Sequence, residues 1–171
     1  ELPFGKGKPL LSGSGGLVSA LAGGWTITGI TTLQTGRPLD LSAPNNTNSY
    51  GGGSRPNNNG QSANLPSSER SLNRWFNTSV FSQPEPFTFG TMGRLLPDAR
   101  EPGITNFDFS VHRSFRIREL ASLELRTELF NMFNTPQFGR PNGGYGNVLF
   151  GTINSQANSP RQIQFGLKLP W

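Results

Sequence analysis

Cysteine is absent from the 171 residues, which excludes a disulfide framework, a thiolate zinc site and a cysteine nucleophile. Histidine occurs once, too few soft donors for a transition-metal centre, so no metal site and no bound cofactor are expected. Charged residues make up only 15% and hydrophobic residues only 33%, both below the averages of a soluble domain. There is no run of about 18 apolar residues, hence no transmembrane helix, a test that leaves a membrane-crossing β-barrel untouched. Heptads, fixed-period repeats and sustained helical periodicity are also missing, which excludes a helical bundle. The net charge of +5 is spread thinly along the chain, and nucleic acid is not an expected partner. The chain starts at Glu1 without a charged-then-apolar leader, as a processed chain or a fragment does.

What is present is 22 Gly, 14 Pro, 13 Phe and much Asn, Ser, Thr and Gln. Leu17, Val18, Ala20 and Leu21, between glycine pairs, form one short helical turn; elsewhere the informative period is two. From about Trp25 to Leu41, odd positions carry Trp25, Ile27, Leu33, Leu39 and Leu41, and this parity survives Thr35-Gly36-Arg37-Pro38. One long kinked strand is therefore expected. Residues 42–103 lose all pattern and read as a long loop, with Trp75, Phe76, Phe81, Phe87 and Phe89 folding its second half onto something. From Ile104 to Ile117, Phe107, Phe109, Val111, Phe115 and Ile117 share a face that only Arg113 interrupts. After a tight turn at Arg118-Glu119, Leu120 to Phe133 alternates again, with Leu123, Leu125 and Leu129 opposite Glu124, Arg126 and Glu128. A weaker Val148–Ile153 stretch follows, and the chain closes on Ile163, Phe165, Leu167, Leu169 and Trp171, the cleanest alternation present.

Such alternation fits a soluble sandwich or an outer-membrane barrel whose apolar face meets lipid. Three features favour the barrel. The segments run to roughly a dozen residues, long for a soluble strand and right for a tilted membrane crossing. A tight turn on one side contrasts with long connections on the other, and aromatic Trp25 and Trp171 sit where an interfacial girdle belongs. The expected fold is all-β: an antiparallel transmembrane β-barrel, with about four to five long strands and long extracellular loops. Glu1–Phe4 would be the tail of a further strand. Counting back from a periplasmic C-terminus places 42–103 and 134–160 outside the cell and the Arg118-Glu119 turn in the periplasm. Arg113 then lies near the periplasmic rim, where a lipid-facing arginine costs about 0–1 kcal/mol against roughly 2–4 at the midplane. Since a closed barrel needs at least eight strands, residues 1–171 are read as the C-terminal piece of a larger one.

Several stretches resemble one family. They are Leu2-Pro3-Phe4-Gly5-Lys6-Gly7, Gly24-Trp25, Gln34-Thr35-Gly36-Arg37-Pro38, Trp75-Phe76-Asn77 and Asn106-Phe107-Asp108, then Arg126-Thr127-Glu128-Leu129-Phe130-Asn131-Met132-Phe133-Asn134 and Pro160–Leu169. Together they resemble the C-terminal barrel of a TonB-dependent outer-membrane receptor of the Oar-like group, which carries a carboxypeptidase-regulatory-like domain. The resemblance implies a plugged barrel of about 22 strands, located in the outer membrane, without catalytic residues, taking up a ligand this piece does not identify. Its implied partners are outer-membrane lipid, the TonB system acting through N-terminal regions, and the barrel-assembly machinery. The last would read the 161–171 strand, here Ile163, Phe165, Gly166, Leu167, Leu169 and Trp171. The alternative is a secreted all-β binding or adhesion domain that presents its Asn/Gly-rich loop.

Other candidates weigh less. Asp108, Ser110 and His112 sit at alternate positions of one strand, so they stack in a row instead of converging as a catalytic triad. Glu124, Arg126 and Glu128 form a charge ladder. With Asp108 and His112 they are possible lumen or plug contacts, and the plainer reading is a solvated, self-neutralising row. Gly5-Lys6-Gly7-Lys8 lacks the spacing of a phosphate loop, and the Asn45 and Asn77 sequons arise by chance in an Asn-rich chain.

Overall fold

The computed structural model describes residues 1–4, 7–13, 16–48, 53–118 and 121–169. Helix α1 (Gly16–Ala22) precedes strand β1 (Trp25–Gln34). Two short strands follow, β2 (Asn57–Asn58) and β3 (Phe81–Ser82), and then the long strands β4 (Ile104–Arg118), β5 (Ala121–Phe130) and β6 (Gln162–Lys168). The four long strands form one sheet in the order β1-β4-β5-β6, and β2 pairs only with β3. The β4–β5 and β5–β6 pairs are antiparallel. Gly24 approaches Arg113 and Gly29 approaches Phe109, so β1 also runs against β4.

The register turns the alternation of single strands into two faces of one sheet. Phe109 pairs with Leu129, which pairs with Ile163; the next rows are Val111, Thr127, Phe165 and Arg113, Leu125, Leu167. The rows between them read Ser110, Glu128, Gln164; His112, Arg126, Gly166; and Ser114, Glu124, Lys168. A slip of one residue in either pairing would mix the two sets, so the sequence pattern selects this register. At Gly29 the ring of Phe109 lies over the neighbouring strand, 3.1 Å from where a Cβ would stand. An aromatic thus fills the space the glycine leaves. The turn expected at Arg118-Glu119 falls partly outside the described residues, and a bulge between Arg116 and Arg118 leads into it.

Several expected boundaries move. β5 stops at Phe130 and does not reach Phe133, because Asn131 takes a left-handed conformation (φ 49°) there, and β6 ends at Lys168. β1 ends at Gln34 and does not run on to Leu41. Pro38 has no N–H for a ladder, and Leu39 and Leu41 enter a separate core, where Leu39 is only 1% exposed. The shared parity of the two segments is coincidental. Glu1–Phe4 forms no strand among the described residues; Leu2 N–H donates to the Trp25 carbonyl (2.7 Å) and Phe4 makes a single bridge to Leu10.

The chain divides into two compact units, one of residues 1–33, 105–135 and 159–171, the other of residues 34–104 and 136–158. In the second unit, residues expected as patternless loop surround a true core of Leu39, Leu41, Ala63, Phe76, Val80, Phe81, Met92, Leu96 and Ala99. Phe150 meets Phe76, Phe81 and Tyr145 edge to face, at centroid distances of 5.3, 6.0 and 5.5 Å. Phe76 and Phe81 therefore do anchor this segment, as expected, whereas Phe87 and Phe89 are exposed. Val148–Ile153 is a series of turns. Beyond the short β2–β3 pair, close backbone approaches take the place of regular secondary structure here. A Cβ on Gly36 would collide with the Glu101 carbonyl, and one on Gly90 with the Arg55 carbonyl.

Candidate functional site

The polar face of the sheet holds the residues proposed from sequence as lumen contacts. Arg126 Nη2 stands 3.1 Å from Glu124 and its Nη1 3.6 Å from Glu128, so one guanidinium serves both carboxylates of the row. His112 pairs in register with Arg126, and its Nδ1 is buried without a hydrogen-bond partner among the described residues. Asp108 is committed elsewhere: it accepts from Asn106 Nδ2 (2.9 Å) and from the Asn131 N–H (2.8 Å). It thereby holds Asn131 in the left-handed conformation (φ 49°) that turns the chain out of β5. Asp108 and His112 are therefore not brought together. Among the described residues no group of three His, Asp or Glu gathers to hold a metal.

On the opposite face, Ile163, Phe165 and Leu167 of β6 stand in the open, with Phe165 75% and Leu167 70% exposed; Leu169 lies just past the strand. Gly166 leaves room on the polar face beside Arg126. Trp171 lies outside the described residues. Burying a side chain of this size away from water is worth about 1.5–3 kcal/mol, so a row of them calls for an apolar surrounding.

Arg113 places a charge within that face, and the structure gives it partners that sequence reasoning missed. It is 8% exposed, its Nη1 donates to the Leu21 carbonyl at the end of α1 (2.6 Å), and its guanidinium lies 4.3 Å from the Phe115 ring and 5.7 Å from the Trp25 ring. Trp25 Nε1 donates to the same carbonyl (2.9 Å). The last carbonyls of a helix lack intrahelical donors, and here an arginine and an indole supply them. The clue in the sequence was the short Gly-bounded helix directly before Trp25.

Open cavities lie among the described residues of the second unit, and two of them are large. One, of about 580 Å³, is lined by Asn58, Gln61, Ser62, Thr91 and Asp98. Asp98 accepts from Ser62 Oγ (2.6 Å) and the Ala63 N–H (2.8 Å). Burial pushes its pKa up, but these hydrogen bonds outweigh burial and hold it below the ordinary carboxylate value. The other cavity, of about 480 Å³, is lined by Arg37, Arg55, Arg94, Arg140, Asp40 and Glu101, among others. Arg140 is ion-paired with Asp40 and, at 3.4 Å, with Glu101. Both volumes are in the range of ligand sites. None of these four arginines was read from sequence as a site residue, Arg37 entering only within a stretch that carries the family resemblance, although the repeated Arg-Pro dipeptide at 37, 55 and 140 was there to be noticed.

A family model described as an outer membrane beta barrel domain matches residues 1–164. No curated protein and no solved structure matches the chain.

Proposed function

The chain belongs to the outer membrane beta barrel domain family, located in the outer membrane, and from that premise we propose that it is barrel wall of a TonB-dependent receptor of the Oar-like group. In this reading it takes part in energised uptake of a ligand and has no catalytic role. The observation that carries the reading is the register of β4, β5 and β6, which gathers the apolar rows on one face, Arg113 being the exception within them, and the rows of Glu124, Arg126 and Glu128 on the other. Lipid is the partner of the first face and a water-filled or plugged lumen that of the second. In this reading the tight β4–β5 connection faces the periplasm and the long connections 42–103 and 134–160 lie outside the cell, the asymmetry usual in such barrels. β6, with Ile163, Phe165, Gly166 and Leu167, is the segment offered to the assembly machinery. The resemblance across Arg126–Asn134 and Pro160–Leu169 supports the receptor group.

Cross-linking in cells between the native full-length protein and TonB tests this function. A TonB-dependent adduct is expected. A correctly inserted protein that gives none, where another receptor in the same cells does, would contradict it. The secreted adhesion reading requires a second sheet over the apolar face, and Phe165 and Leu167 are uncovered among the described residues.

A further inference from the structure

We propose that the arginine-lined cavity of the second unit is a recognition site for an oxyanion, a ligand bearing carboxylate or phosphate groups. Four of the twelve arginines of the chain line this single cavity, against two carboxylates. Both carboxylates pair with Arg140. The side chains of Arg37, Arg55 and Arg94 have no ion-pair partner among the described residues, so the cavity carries uncompensated positive charge. Guanidinium groups offer a planar fork that matches carboxylate and phosphate oxygens two at a time.

The arginines are also held in place by the backbone. Every Arg-Pro dipeptide of the chain is here: Arg37-Pro38, Arg55-Pro56 and Arg140-Pro141. A residue before proline is confined to extended conformations, and Pro56 and Pro141 are fully buried, so each arginine projects from a fixed point. The strands of chain are tied to one another around the cavity. Leu96 N–H donates to the Leu39 carbonyl (2.7 Å), Met92 N–H to the Pro56 carbonyl (3.2 Å) and Glu101 N–H to the Arg37 carbonyl (2.8 Å). Buried Met92 and Leu96 thus bracket Arg94 and fix it beside the other two. The field of this cluster of like charges draws anions toward it, and the backbone that carries it is already ordered before an anion arrives. This inference goes beyond energised uptake and does not depend on it.

Calorimetric titration of the full-length protein in neutral detergent, with pyrophosphate and with citrate, tests the site. Saturable binding is expected, weakened about tenfold by each of Arg37→Gln, Arg55→Gln and Arg94→Gln and lost when all three are combined. Leu95→Glu, which brings a negative charge to the cavity wall without removing any arginine, is expected to abolish binding as well. If the anion is a lipid headgroup, the wild-type protein will instead purify with bound lipid phosphate that these variants lack. A wild-type protein that binds neither probe and carries no more lipid phosphate than the variants would overturn the proposal. The readout is binding alone, so failure of TonB coupling leaves it standing.

Discussion

Arg113 occupies a face made mostly of Phe, Val, Leu and Ile, and what makes it tolerable there is local. The Leu21 carbonyl takes one N–H, and the Phe115 and Trp25 rings cover the guanidinium. Removing it takes one of two donors from the Leu21 carbonyl, the Trp25 indole remaining, and takes away a cation–π contact, together about 1–2 kcal/mol. Arg113→Ala should therefore lower the thermal midpoint of the full-length protein in detergent, and Arg113→Lys, which retains a donor, should lower it less. Equal midpoints for all three proteins would show that the clamp does not stabilise the sheet. A second residue-scale prediction concerns Gly36, whose missing Cβ allows the Glu101 carbonyl to approach. Gly36→Ala should overpack the second unit at a cost of about 1–3 kcal/mol, seen as faster proteolysis of residues 34–104 with the sheet unaffected. Asp98 gives a pH signature. Its folded pKa is lowered, so its contribution is complete above the unfolded value of about 3.9 and is lost as pH falls through the folded one. The second unit should loosen below about pH 4, and Asp98→Asn should flatten that part of the acid profile; an unchanged profile would contradict the assignment.

At the scale of elements, β6 is both the most regular strand and an open edge. An unpaired edge this apolar is an aggregation hazard unless assembly delivers it to a partner strand. Phe165→Ser combined with Trp171→Ser should reduce the outer-membrane level of the full-length protein without changing its synthesis; unchanged levels would remove the assembly role. β4, β5 and β6 were legible in the sequence because a period of two is a local signal, repeated over many residues. The short helix was legible too, from its flanking glycines. β1 was extended too far because Leu39 and Leu41 keep the parity of Ile27 and Leu33 although they serve another core. That core was illegible. Its members stand at irregular spacings from Leu39 to Ala99, joined by turns and close glycine approaches, and no periodicity announces such a fold. Phe76 and Phe81 could be recognised as anchors by their bulk. The arginine cavity could not, because its four arginines come together only through long-range backbone hydrogen bonds.

At the scale of the whole molecule, a single sheet has two chemically distinct faces. The described residues contribute four long strands with β1 and β6 as edges; a barrel requires at least eight, so the wall is completed by further strands. Membership of the outer-membrane barrel family and the two-faced register agree with each other: one surface is apolar, as a lipid-facing surface has to be, and the other is polar. The natural absence of cysteine makes the decisive measurement direct. Single cysteines at Leu123, Leu125, Phe165 and Leu167, and at Glu124, Arg126, Gln164 and Lys168, would carry a fluorophore in the full-length protein reconstituted into bilayers containing nitroxide-labelled lipid. Quenching should alternate along both strands, strong at the first four positions and weak at the second four. Equal quenching on the two sets, or none at Leu125 and Phe165, would contradict a lipid-facing sheet.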